Sequence, residues 1–327
     1  MSSIKIQYNS RLYCYTNYPE KELFFSLVDY RNNYFTSEDS DKIIEFYKGF
    51  DNREQLINWM RERPKGSSTI HEVEGEKDIV IVITTADFDG KYAIDCRKSI
   101  FKGLHIIFVE SGGRGDFYFN YAHNCNVGIR KAMEYNPKWV VVSNDDMYKI
   151  DGVEVLKTEI DKVDDDKYDV IFPSPSTYHT IPLYISKKSF TYLIYLYVRE
   201  KQLGKLYDKY DVNFFGLFYT MKSKVVFRKV KATDFTSTGA FGILSSRYVK
   251  RLGLRIFDET YINDHEDLDL SFRFILTDAK STRIDYEIGT LQGSSLGMGG
   301  CRDLRSVAGR AYFNSKYEKL LIKMLGH

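Results

Sequence analysis

The sequence predicts an α/β protein: a mostly parallel, mixed sheet flanked by helices, with an N-terminal accessory segment before it and a C-terminal helix after it. Two observations carry this. From Asp78 onward, short apolar β-branched runs alternate with amphipathic stretches, the rhythm of strands crossing over through helices. The run Trp139-Val140-Val141-Val142-Ser143 is short and uninterrupted, as expected of a strand buried on both faces of a sheet, and it leads directly into Asn144-Asp145-Asp146.

In chain order, residues 1–75 form the accessory segment, with a strand-like piece at Leu12 to Tyr15 and helical patterning after it. Its clearest helix follows Asp51, read as an N-cap with Glu54 three residues on; Leu56, Ile57 and Met60 share one face and Pro64 ends it. Pro64 to Ser68 reads as a linker. The main domain, 76–300, starts with strand Ile79 to Ile83, helix Tyr92 to Phe101 and strand Leu104 to Val109. Helix Asn120 to Glu134 and strand Trp139 to Ser143 complete a β-α-β-α-β unit. Beyond it the patterning predicts a helix over Val153 to Val163, an extended Val170 to Pro173, and an aromatic-rich helix over Ser189 to Gln202. Residues 301–327 form a helical tail, helical from about Asp303 to Met324.

Composition narrows the function. A chain of 327 residues, 43% hydrophobic and 15% aromatic, can bury a large core, which excludes a disordered or disulfide-stapled peptide. With 47 basic against 45 acidic residues the net charge is +2, so no global field argues for nucleic acid, and none is expected as a partner. Cys14, Cys96, Cys125 and Cys301 are scattered, without a C-x-x-C pair, which suggests neither a zinc site nor a disulfide framework and fits a reducing compartment. The N-terminus lacks the apolar core of a signal peptide and no stretch has the length of a membrane span, so the expected location is cytoplasmic.

In open α/β sheets ligands sit outside the carboxyl ends of the strands. Asp145 and Asp146 would therefore project into a crevice, where a divalent cation would offset their mutual repulsion; the other reading is that they cap the next helix.

The motifs, taken in order, resemble those of family 2 glycosyltransferases. Strand Ile79 to Ile83 followed by Thr84-Thr85-Ala86-Asp87 resembles the family's opening strand and its turn beneath the nucleobase. Ile106 to Val109 followed by Glu110-Ser111-Gly112-Gly113 resembles its second turn, with Glu110 where Asp is usual. Asn126-Val127-Gly128-Ile129 matches the helix before the metal motif, and Asn144-Asp145-Asp146 resembles the D-x-D motif in an Asn-Asp-Asp form. In the second half, Gly239-Ala240, Phe257-Asp258-Glu259 and Glu266-Asp267-Leu268-Asp269-Leu270 with Arg273 resemble the family's Gly-Ala, Phe-Asp-Glu and Glu-Asp-x-Asp-Leu-x-x-Arg succession. The resemblance covers about residues 78 to 297. One departure is Thr290, which stands where a metal-binding His often lies.

The resemblance implies the GT-A fold, a Rossmann-like sheet that binds a nucleotide-sugar, and sugar transfer with inversion. Mn²⁺ or Mg²⁺ would be held through Asp146, with Asp145 or Asn144 assisting, and would act on the leaving diphosphate. Asp267 is the expected general base and Glu266 the lesser candidate; at a helix start the same acids would also complement the dipole. Arg273, one turn on from Asp269, would pair with it. Thr84, Thr85, Asp87, Glu110, Asn126, Asp145, Gly239 and Arg273 are the expected nucleotide-sugar contacts. The glycine-rich run Gly297 to Arg302 would be either a loop closing over the diphosphate or a plain connection.

The donor would be linked to UDP, GDP or dTDP, and the acceptor would be a glycan, a protein or a lipid-linked species. Aromatic Phe190 to Val198 and basic Lys222 to Lys231 suggest acceptor recognition and peripheral membrane contact, set against core and solvated-edge roles. The rival functions are a nucleotidyltransferase making nucleotide-sugars, which would carry a Gly-rich basic loop after the first strand, and a catalytically weak nucleotide- or glycan-binding relative.

Overall fold

The computed structural model describes residues 3–4, 30–112, 118–174, 182–187, 201–212, 214–218, 230–236, 240–291 and 301–324. Strand β1 is Ser3–Ile4, and residues 30–35 are helical (α1). Helices α2 (Ser40–Lys48) and α3 (Arg53–Glu62) follow. The cap of α3 is Asn52, not the expected Asp51: Asn52 accepts from the Gln55 backbone N–H, while Asp51 accepts from the Gln55 side chain. Next come β2 (Thr69–Val73), β3 (Glu76–Thr85) and α4 (Lys91–Asp95), which continues as one π turn, Cys96–Ile100. Strand β4 (Leu104–Glu110), helix α5 (Tyr121–Met133) and strand β5 (Trp139–Asn144) complete the β-α-β-α-β unit.

The rest comprises β6 (Met147–Lys149), α6 (Val153–Asp161), β7 (Val170–Ser174), β8 (Pro182–Lys187), α7 (Lys201–Lys209), β9 (Phe214–Phe218) and β10 (Val230–Thr236). Strand β11 (Phe241–Ser245), α8 (Ser246–Arg251), α9 (Glu266–Leu276), β12 (Ser281–Asp285), β13 (Ile288–Thr290) and α10 (Arg302–Met324) close the chain. The expected strand at Leu12 to Tyr15, nearly all of the aromatic-rich helix and the glycine-rich run before Cys301 lie outside the described residues.

The main sheet has the order β1-β2-β4-β3-β5-β11-β7-β12. Strands β3, β4 and β5 are mutually parallel, as are β7 and β12, whereas β2 and β11 run against their neighbours. The sheet is therefore mostly parallel and mixed, as expected. Strand β3 is buried on both faces. Val80 and Val82 belong to one apolar core with α5, while Ile79, Ile81 and Ile83 belong to another with the α4 and π segment and with α6. At Gly128 helix α5 lies directly on the sheet: a Cβ there would stand 2.4 Å from Val82 Cγ1.

A third, aromatic core joins α2, α3, α7, α9 and α10, with Phe46, Tyr47, Trp59, Tyr210, Phe272 and Phe313 inside it. Helix α9 links two of these cores, since Leu268 and Phe272 face the aromatic one while Leu270 and Phe274 face the sheet. Among the described residues, no helix is long and apolar enough to cross a membrane.

Candidate functional site

Parallel register brings three strand ends together. Thr84 pairs with Asn144 across β3 and β5, and Thr85 pairs with Glu110 across β3 and β4, so the turns after these strands emerge side by side. This is the edge at which such sheets hold ligands. Thr84 and Thr85 are buried there, and the Thr85 hydroxyl donates to Asp145 Oδ2 at 2.7 Å, tying the first turn to the Asn144-Asp145-Asp146 turn. Asp87 closes its own turn, its Oδ1 accepting from the Asp89 N–H.

Asp145 and Asp146 are both buried. Their backbone is fixed from two sides: the Cys96 thiol, at the start of the π turn, donates to Asp145 O, and Leu291 N donates to Asp146 O at 2.8 Å. Thr290 pairs with Met147 in the β6–β13 ribbon, so it does stand beside the acidic turn. Irregular helix next to a site is a common device for aiming a side chain.

Glu110 lies at the end of β4, held by partners the sequence did not suggest. His71 Nε2 is 2.7 Å from Glu110 Oε2, and Phe88 N donates to Glu110 Oε1. The His71 ring stacks on Phe88 with centroids 4.2 Å apart, and the Arg97 guanidinium lies over the same ring at 4.1 Å. His71 was not legible because it reaches the site only through the antiparallel pairing of β2 with β4.

The second half of the site is built around the start of α5. Asn120 caps this helix, accepting from His123 N, and its amide donates to Glu259 O and Tyr261 O. Asn126 is fully buried: it donates to Phe257 O and Glu259 Oε1 and accepts from Phe257 N. Its amide is thus used in holding the 257–259 turn. Burial opposes ionisation of Glu259. Hydrogen bonds from His123 and Asn126, with the charges of His123 and Arg130, outweigh it and carry the carboxyl down to about 2.

The turn into α9 is strained. Asn263 and His265 adopt left-handed φ values of 57° and 70°, each costing about 1 kcal/mol or more for an L-residue. Surrounding contacts hold it: Asn263 Oδ1 accepts from Tyr121 N, His265 Nδ1 lies 2.6 Å from Asp264 Oδ2, and a Cβ on Gly309 of α10 would approach Asp264 O at 3.1 Å. Glu266 and Asp267 follow at the helix start. Burial, then the adjacent Asp267 carboxylate, push the Glu266 carboxyl well above the usual carboxylate range. Among the described residues Glu266 Oε2 has no hydrogen-bond partner.

One further expectation changes. Arg273 does not pair with Asp269; its guanidinium donates to Ile256 O and Arg255 O. Asp269 is fully buried and accepts from Lys316 Nζ at 2.6 Å and from the Tyr317 hydroxyl at 2.8 Å, both on α10. Asp269 thus ties the start of α9 to α10, and Arg273 ties the helix to the 255–256 backbone. Gly239 lies outside the described residues; its neighbour Ala240 accepts from Asn144 N at 2.9 Å.

Tyr121 connects the two halves. Its hydroxyl donates to Asn144 Oδ1 at 3.1 Å. Burial first, then Cys125 and the charges of Glu266 and Asp267, hold its phenol well above the ordinary range. With its backbone N–H on Asn263 Oδ1, this residue links the Asn144 turn to the turn that leads into α9.

The donor set at the acidic turn is hard oxygen, which suits Mg²⁺ or Mn²⁺. Among the described residues no group of three or more His, Cys, Asp or Glu side chains stands together as a metal cage. Two carboxylates fit an ion that keeps most of its ligands from water and phosphate. No protein-family model matches the chain, and no curated protein matches it.

Proposed function

We propose that the chain is a glycosyltransferase of the GT-A kind, moving a sugar with inversion from a nucleoside-diphosphate sugar to an acceptor hydroxyl. The observation that carries this reading is that Tyr121 joins the Asn144-Asp145-Asp146 turn through its hydroxyl and, through its backbone N–H on Asn263, the turn that leads into Glu266-Asp267. Such transfer needs two devices in one crevice, an electropositive grip on the leaving diphosphate and a base for the acceptor proton. Asp145 and Asp146 would hold Mn²⁺ or Mg²⁺, which when bound supplies Lewis-acid stabilisation of the diphosphate charge.

The acceptor oxygen forms its bond to the anomeric carbon while the bond from that carbon to the diphosphate oxygen breaks. The electron pair leaves with the nucleoside diphosphate, and the acceptor proton passes to Asp267. Burial and the neighbouring Asp267 carboxylate favour the protonated form of Glu266, which makes it the poorer proton acceptor of the pair. Thr85 keeps Asp145 in place, and the Glu110, His71 and Phe88 cluster forms the wall of the crevice beside the first turn.

The test is a screen of UDP-, GDP- and dTDP-sugars for binding and transfer with Mn²⁺, on the native chain and on Asp267→Asn. The variant is expected to keep donor affinity and lose about 10² to 10⁴ in transfer rate, the scale of a general base. Absence of binding by every donor would sink the reading, and retained transfer would remove Asp267 as base.

A further inference from the structure

Asn144 was expected to assist metal binding, and its surroundings point to another role. A carboxamide has an acceptor end and a donor end. The Tyr121 phenol is protonated at neutral pH, and its hydroxyl lies 3.1 Å from Asn144 Oδ1 as the donor. Both ends of this contact are anchored: Tyr121 is the first residue of α5, with its backbone N–H on Asn263 Oδ1 at 2.8 Å, and the Asn144 backbone N–H is on Ala240 O at 2.9 Å. Asn144 is half-buried, and among the described residues its Nδ2 makes no hydrogen bond. The acceptor end is therefore engaged by protein, and the donor end is left for a ligand.

We infer that Asn144 serves the crevice as a hydrogen-bond donor to an oxygen of the nucleoside diphosphate, outside the metal's ligand set, and that Tyr121 is the positioning residue that fixes this orientation. The inference rests on the proposed donor class. It assigns the three residues of the turn different tasks. Asp145 and Asp146 face the cation, and Asn144 faces the anion that arrives with it. A neutral amide suits this position, because a third carboxylate beside two buried ones would repel the diphosphate.

The Asn144→Asp variant separates the two roles by sign. A metal ligand is strengthened by a carboxylate, whereas a phosphate donor is lost and replaced by repulsion. Binding of UDP, GDP and dTDP to the full chain with saturating Mn²⁺, measured calorimetrically, is expected to weaken at least tenfold in Asn144→Asp, about the scale of one hydrogen bond to a charged group. Tyr121→Phe is expected to weaken binding less, and to have no further effect when added to Asn144→Ala. That non-additivity is what action through Asn144 requires and a general packing role would not give. Equal or tighter nucleotide binding by Asn144→Asp overturns the inference while leaving the proposed function in place. Failure of the native chain to bind any of the three nucleotides overturns both. Melting temperatures of the variants within a few degrees of the native chain confirm that the folds being compared are the same.

Discussion

A carboxyl buried beside a second carboxylate keeps its proton to higher pH than it would in water, and Glu266 has this position next to Asp267. The native state therefore holds one proton more than the unfolded chain once pH rises above the ordinary glutamate value of 4.5. Stability from this group is fully present below that value and is lost as pH rises toward the raised one. Asp258 and Glu259 act in the opposite direction. Both are carried down to about 2, so their contribution is present above the ordinary carboxylate range and is lost as pH falls toward 2. Urea unfolding at a series of pH values is expected to show decline on both sides. Glu266→Gln should flatten the alkaline limb and leave the acid limb alone; an unchanged alkaline limb would mean that Glu266 is ionised in the fold. Sequence alone located Glu266 and Asp267 at a helix start. It ranked Asp267 above Glu266 only through the family resemblance, because the physical difference between them depends on burial, and burial here is supplied by chain segments far away in sequence.

Helices and strands with strong periodicity were legible, and the contacts between them were not. Asn120 to Glu134 reads as a helix from its apolar spacing and is one, from Tyr121 to Met133. Its depth against the sheet depends on Gly128, where a methyl group would enter the space of Val82 and Val109. Both neighbours are β-branched and buried and have little freedom to yield. Gly128→Ala is expected to destabilise the protein by about 1 to 3 kcal/mol in denaturant titration, although alanine is intrinsically the better helix former. A neutral or stabilising result would show that the helix can lift from the sheet at little cost.

The C-terminal helix teaches the same lesson. Lys316 lies 2.7 Å from Asp258 and 2.6 Å from Asp269, carboxylates that the sequence offered as motif members rather than as anchors. Lys316→Ala would leave both largely buried acids without their cation. A loss of about 3 kcal/mol or more is expected. A loss below 1 kcal/mol would mean that the tyrosines of this cluster suffice.

At the scale of the molecule, the parallel order of β3, β4 and β5 followed from the alternation of elements, and with it the edge where the site lies. The direction of β11 was not legible, since an apolar run reveals burial and not orientation. Nor was the aromatic core through which the accessory segment and α10 support α9 and its two leading carboxylates. This architecture has a consequence for metal dependence. The sheet edge brings two carboxylates to the acidic turn, and among the described residues no group of three or more His, Cys, Asp or Glu side chains stands together as a metal cage. An ion held by two carboxylates gains most of its remaining ligands from water or phosphate, so it should bind weakly alone and firmly with nucleotide. By mass action, stabilisation follows the ratio of ligand concentration to Kd. Millimolar Mn²⁺ alone is therefore expected to raise the melting temperature by no more than about 1 to 2 °C, and UDP, GDP or dTDP added with Mn²⁺ to raise it several degrees further. EDTA should abolish the nucleotide-dependent part and leave the melting temperature of the protein alone unchanged. A large rise with Mn²⁺ alone would instead require a protein-built cage, and the division of labour between Asn144 and the two aspartates would have to be redrawn.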